Sequence, residues 1–185
     1  HQWVVLCGPP ASGKSTLAAE LAERCGWPHH ATDAVRKDLA GLGPTERGAA
    51  QHYTEAFTGR TYAELLDRAG AEQGPVVLLD GNFPTVELRH VAATAARTRG
   101  ARLLVVHLDV DETTALRRAA ARAASGTSVS DADAAIAAQR RAAFVPPGAS
   151  EGHAVVRLDG TRPAGVNADE LLAHLLRTGS FQLVQ

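Results

Sequence analysis

The chain has 185 residues, enough for one domain with a substantial core. Its hydrophobic content of 45% and charged content of 21% are those of a soluble globular protein, and a net charge of −1 argues against a surface coated in phosphate-binding cations. No apolar run approaches the ~18 residues of a membrane span, and the opening residues lack the pattern of a signal peptide, so a cytoplasmic protein with no membrane partner is expected.

Trp3–Cys7 is a short continuous apolar run, as expected of a strand buried on both faces. A turn-rich loop, Gly8 to Gly13, leads into a helix over Ser15–Arg24, with Leu17, Ala18, Leu21 and Ala22 on one face. A second strand is predicted at His29–Thr32, ending at Asp33, and further buried strands at Val76–Asp80, Leu103–Asp109 and His153–Asp159. Helices are predicted between them at about 46–73, 85–99, 112–124, 131–143 and 168–177. Asn167 with Glu170, and Ser130 with Asp133, have capping-box spacing, and Gly179 follows the last helix. Ser125–Ser130 and the Pro-Pro-Gly at 146–148 read as mobile loops. Strands alternating with helices imply a parallel sheet of about five strands covered on both faces, in a single domain over residues 1–185.

Gly8-Pro9-Pro10-Ala11-Ser12-Gly13-Lys14-Ser15-Thr16 matches G-x-x-x-x-G-K-[ST] between a predicted strand and a predicted helix, the context the phosphate-binding loop requires. Its glycines let backbone N–H groups wrap closely around phosphates at a helix N-terminus. The expected nucleotide contacts are Gly8, Ala11, Ser12, Gly13, Lys14, Ser15 and Thr16. Lys14 would bridge the β- and γ-phosphates, Ser15 would offer its hydroxyl to Mg²⁺, and Thr16 would sit nearer the α-phosphate. Lys14 and Lys37 are the only lysines, so a Lys within this loop is not ordinary surface decoration.

Asp33 follows the second strand and Arg36 stands three residues on, about one helical turn away. A carboxylate that accepts a hydroxyl proton and a guanidinium that grips substrate are what phosphoryl transfer to an alcohol needs. The plainer reading is that Asp33 caps a helix beginning at Ala34. Asp80 ends an apolar run before Gly81-Asn82 and is the preferred second Mg²⁺ holder, over Asp109; a simple tight turn is the alternative. Cys7 and Cys25 form no Cys-x-x-Cys pair and read as reduced packing residues. Of the eight histidines, His29 and His30 are adjacent and not i, i+4 spaced, and the others are dispersed with no Cys or carboxylate cluster beside them, which speaks against a zinc site.

Gly8–Thr16 followed by Thr32–Leu42 resembles the P-loop kinase-like, AAA-type ATP-binding domains found beside or fused to aminoglycoside-phosphotransferase-like proteins. The similarity extends through Pro44–Arg47, Tyr53, Arg60–Tyr62, Asp80–Phe83 and Ser130–Asp133. More distantly the chain is similar to the kinase domain of polynucleotide kinases and to zeta-toxin sugar-nucleotide kinases. The resemblance implies Asp33 as general base and Arg36 as contact to the acceptor or its phosphate. It also implies a helical insert at about 44–73 that builds the acceptor site, where Tyr53, Phe57, Arg60 and Tyr62 fall. A lid at about 112–130 would carry Arg118 and Arg122 to the transferring phosphoryl group, although an i, i+4 arginine pair also suits a solvated basic face.

The function expected is ATP- and Mg²⁺-dependent transfer of the γ-phosphate to a small-molecule hydroxyl. A polynucleotide 5′-hydroxyl kinase is the alternative, disfavoured by the near-neutral charge. An ATPase or switch with no acceptor would leave Asp33 and Arg36 without a task.

Overall fold

A computed structural model describes residues 1–46, 48–124 and 138–179, without the side chains of 122–124. Arg47, the Ser125–Ser130 loop, the Ser130/Asp133 capping box and the Arg122 side chain therefore lie outside the described residues. Five parallel strands form one sheet: β1 (Gln2–Cys7), β2 (His29–Ala31), β3 (Val76–Asp80), β4 (Arg102–Asp109) and β5 (Ala154–Asp159), in the order β2-β3-β1-β4-β5. The helices are α1 (Lys14–Cys25), α2 (Thr32–Ala40), α3 (Glu55–Ala71), α4 (Val86–Thr98), α5 (Glu112–Ala124) and α6 (Ala164–Arg177), with a helical stretch at 138–142.

Side chains alternate across a strand, and β1 uses this to divide the core. Trp3, Val5 and Cys7 face Leu65 and Ala69 of α3 and Ala92 and Ala96 of α4. Val4 and Leu6 face Leu17 and Leu21 of α1 and Leu171 and Leu175 of α6. Every residue of β1 is buried, which is why its sequence is continuously apolar from Trp3 to Cys7. Each leucine sealed in this way contributes roughly 1.5–3 kcal/mol. Cys7 and Cys25 are free thiols, and burial pushes Cys7 up to about 12, so it is packing rather than nucleophile.

Several boundaries differ from expectation. The predicted helix over 46–73 is a 3₁₀ turn at Ala50–Tyr53 followed by α3, because Thr54 is extended and caps α3 by accepting from the Phe57 N–H. Helix α2 begins at Thr32 with Ala31 as its N-cap, so Asp33 lies in the first turn and does not cap. The last helix starts at Ala164, directly after Pro163, whose ring presets a helix entry. Asn167 is consequently inside α6 and buried, and its Nδ2 donates to the Asp159 carbonyl instead of forming a capping box.

Because all strands run the same way, their carboxyl ends share one rim. Ligands of open α/β sheets bind outside that rim.

Candidate active site

A cavity of about 1200 Å³ opens along that rim, larger than the ~300–1,000 Å³ typical of one small ligand. It therefore has room for two reactants. From the β2 edge it takes in Asp33, Arg36, Tyr53 and Tyr62; at the centre the phosphate loop; and from the β5 edge Thr161, Arg162 and Asn167.

The loop between β1 and α1 has the backbone its sequence demands. Gly13 is the N-cap of α1 at φ 99, and Ala11 also has a positive φ of 65. Gly8 lies at φ +149, where a Cβ would fall 2.6 Å from the Leu108 carbonyl oxygen, so only glycine fits. Lys14 is folded inward: its Nζ donates to the carbonyls of Gly8 and Pro9, both at 2.9 Å, and to Ser12 Oγ at 3.3 Å. Ser15 and Thr16 are exposed and line the cavity, as do Ala11 and Gly13, whereas Ser12 is buried beneath the loop.

Asp33 and Arg36 both reach the cavity. The Asp33 side chain is 68% exposed and pairs with Lys37, one turn on, at 3.0 Å. Arg36 is half-buried, with Nη1 donating to the His52 carbonyl at 2.6 Å and to Thr58 Oγ1 at 3.4 Å. Burial lowers the Arg36 pKa from its ordinary value.

Asp80, at the end of β3, is buried and lines the cavity, with His29 Nε2 3.8 Å from its carboxylate. Asp109 is exposed at the end of β4 and is not part of the lining. The Ser15 hydroxyl and Asp80 carboxylate are hard oxygen donors suited to Mg²⁺. Among the described residues no three His, Cys, Asp or Glu side chains gather to hold a metal. A cation here would complete its shell with phosphate oxygens and water, as Mg²⁺ prefers.

Arg118 of α5 crosses to the phosphate loop and donates to the Ala11 carbonyl at 3.3 Å. Of the four insert residues, Tyr53 and Tyr62 line the cavity, while Phe57 and Arg60 do not and instead stack on each other at 5.3 Å. Tyr62 is largely structural: its hydroxyl accepts from the Phe83 N–H at 3.1 Å and its ring meets Phe83 edge-on. Burial is the main cause that raises its phenol to about 12.

Several arginines escaped the sequence reading, Arg162 of the lining among them. Arg140 enters the lining from the 138–142 stretch and lies 5.4 Å from the Tyr53 ring centroid. Arg89, fully buried, donates to the carbonyls of Phe83 at 2.8 Å and Val145 at 3.0 Å. It thereby ties the loop after β3 to the segment following Arg140. Only periodicity could have flagged Arg89, as a charge on the apolar face of α4.

A family model described as an AAA domain matches residues 4–147. The chain is 34% identical to an adenylate kinase from Corynebacterium glutamicum over 127 residues, covering 64% of this chain and 69% of that one. It is 32% identical to an adenylate kinase from Mycolicibacterium smegmatis over 124 residues, covering 62% and 67%. Among solved structures, a gluconokinase from Sinorhizobium meliloti superimposes with a TM-score of 0.68 at 18% identity, over 96% of this chain and 93% of that one. A shikimate kinase from Aquifex aeolicus does so with a TM-score of 0.60 at 19% identity, over 96% and 98%. The fold is that of P-loop kinases, as the loop and strand order had indicated. Among the described residues no helix is long and apolar enough to cross a membrane.

Proposed function

We propose that this chain, which belongs to the AAA-domain family, is an ATP-dependent phosphotransferase that moves the γ-phosphoryl group to a hydroxyl of a small-molecule acceptor. The observation that carries this reading is that Asp33 and Arg36 open into the same cavity as the phosphate loop, one strand beyond β3 at the β2 edge. A nucleotide seated on the loop would draw Lys14 Nζ from the Gly8 and Pro9 carbonyls to phosphate oxygens. Ser15 and Asp80 would hold Mg²⁺, which shields charge on the phosphates. The acceptor oxygen attacks the γ-phosphorus, the bond to the β–γ bridging oxygen breaks, ADP leaves, and the hydroxyl proton passes to the Asp33 carboxylate. Arg118, which contacts the loop at the Ala11 carbonyl, would meet charge spread over the transferring group.

The relatives named adenylate kinase favour a second reading, in which the acceptor is a nucleotide phosphate and needs no base. Transfer of γ-label from ATP to hydroxyl compounds and to AMP, by wild type and Asp33→Asn, separates the two. The panel holds nucleosides, sugars, aminoglycosides and 5′-hydroxyl oligonucleotides. Label on an alcohol that falls by about 10²–10⁴ in the variant supports the first reading. Label on AMP, unchanged in the variant, supports the second. Equal ATP hydrolysis with no labelled acceptor removes both and leaves an ATPase or switch.

A further inference from the structure

Lys37 is the only lysine outside the phosphate loop, and its ammonium is engaged in two directions. Nζ lies 3.0 Å from Asp33 Oδ2, one turn back on α2, and donates to the Pro44 carbonyl at 2.7 Å. Arg24 and Arg68 also close i, i+4 pairs, but each turns a further nitrogen to a second carboxylate. Lys37 turns instead to main chain, at the start of the connection between α2 and α3. Its neighbour Arg36 grips the same connection near its other end, at the His52 carbonyl. Two consecutive cations of α2 therefore pin the segment that brings Tyr53 to the cavity.

The Lys37 side chain is 21% exposed and that of Asp33 is 68% exposed. Asp33 lines the cavity whereas Lys37 does not, so the ammonium reaches the carboxylate from outside the space an acceptor would occupy. An ion pair this exposed adds little to folding. A general base gains more from it. Groups that abstract a proton are commonly oriented by a third group, and a misplacement of about 1 Å can cost about 10²-fold in rate. With Oδ2 held by Lys37, Oδ1 is the oxygen left to take a proton.

We infer that Lys37 is the positioning residue of Asp33: it fixes the carboxylate for proton abstraction and ties it, through Pro44, to the segment that walls the acceptor end of the cavity. Resting on the phosphotransferase reading, Lys37 acts through Asp33 and touches neither nucleotide nor acceptor.

The scarcity of lysine makes the contact directly observable. In protein carrying isotope-labelled lysine, NMR sees Nζ signals from Lys14 and Lys37 alone, and Lys37→Met assigns them. With Mg·ADP bound, Asp33→Asn should shift the Lys37 signal and speed hydrogen exchange of its ammonium. A Lys37 signal that ignores Asp33→Asn overturns the proposal, whatever the acceptor.

Rates come from label transfer with γ-labelled ATP, to whichever alcohol of the panel above the wild type labels. Lys37→Met should lower kcat about ten- to hundredfold, with KM for that alcohol and Mg·ADP affinity unchanged, and Lys37→Arg should restore most of the loss. In the Asp33→Asn background Lys37→Met should cost nothing further, the signature of action through one partner. An equal loss in both backgrounds marks a merely structural lysine, and a raised kcat in Lys37→Met marks a restraint on the base; either overturns the proposal. Full activity in Asp33→Asn, or no labelled alcohol, removes the base itself and the role of Lys37 with it. A slow Asp33→Asn beside a wild-type rate in Lys37→Met removes the role of Lys37 alone.

Discussion

Arg89 and Glu151 meet inside the protein as a fork on a carboxylate, Nε to Oε2 and Nη2 to Oε1, both at 2.7 Å. The arginine side chain is fully buried and the glutamate is 5% exposed. Glu151 also accepts from the Gly148 N–H at 3.0 Å. Removing one member of such a pair leaves an uncompensated buried charge, at about 3–5 kcal/mol. Arg89→Met and Glu151→Gln should each cost about that much in urea unfolding. The double variant Arg89→Met/Glu151→Leu should recover only part of it, because the carbonyls of Phe83 and Val145 still lack their donor. Full recovery would mean that the pair, and not its grip on the two loops, is what matters.

Gly160 links the end of β5 to the phosphate loop at very close range. A Cβ there would lie 2.5 Å from the Ser12 carbonyl oxygen and 2.7 Å from that of Asp109. Both obstacles are backbone, so neither can swing away. Gly160→Ala should displace the phosphate loop, weaken Mg·ADP binding by at least tenfold and lower the Tm. Unchanged nucleotide affinity would show that the loop tolerates the shift.

Arg118 discriminates a lid from a solvated basic face. Arg118→Ala should lower kcat by about 10³–10⁵ with a smaller change in KM for ATP, as expected for a contact that gains strength in the transition state. A basic face that only meets solvent predicts no change in kcat.

The acid side of the stability curve should fall in two stages. Burial is the main cause that lowers the pKa of His107, which stacks on Phe144 at 5.3 Å, and of His153; the pull of Glu151 on His153 is smaller. Their neutral forms are favoured in the fold, so this stability is complete above the unfolded value of about 6.5 and is lost as pH falls through the lower folded values. For Glu151 burial acts upward, but the hydrogen bonds from Arg89 and the Gly148 N–H outweigh it and leave the carboxyl below its ordinary value. Its contribution is complete above about pH 4.3 and disappears below that. Urea midpoints measured from pH 8 to pH 3.5 should show both stages. His107→Phe should flatten the first, and Glu151→Gln the second. A single stage in wild type would remove the histidine contribution.

The phosphate loop was legible because its spacing encodes a local backbone shape, and Gly8 and Gly13 adopt the positive φ that shape needs. The place of Asp80 at the rim was legible because it ends an apolar run that is plain in the sequence, whereas Asp33 and Arg36 follow the short, half-buried β2 and were placed by its position before the next helix. Asn167 misled: its spacing to Glu170 fits a cap, but Pro163 starts the helix earlier and Asp159 claims the amide. Asp33 misled less, since moving the helix start to Thr32 left it facing the cavity. Arg140 and Arg89 were illegible for a different reason. Arg89 is defined largely by contacts to Val145 and Glu151, 56 and 62 residues away, and Arg140 by an aromatic ring it shares with Arg36, and no local pattern encodes either. Phe57 and Arg60 fall in the right insert but turn toward each other.

The strand order also governs how the sheet ends. β2, at one border, has only three residues, so a foreign strand laid beside it would gain few backbone hydrogen bonds. At the other border β5 carries exposed Arg157 mid-strand, between Val156 and buried Leu158, and a charge in that position discourages edge-to-edge pairing. The two borders are therefore poor templates for β-aggregation, and the chain can keep an apolar centre such as Trp3–Cys7 of β1 without offering an equally adhesive rim to its neighbours in a crowded solution.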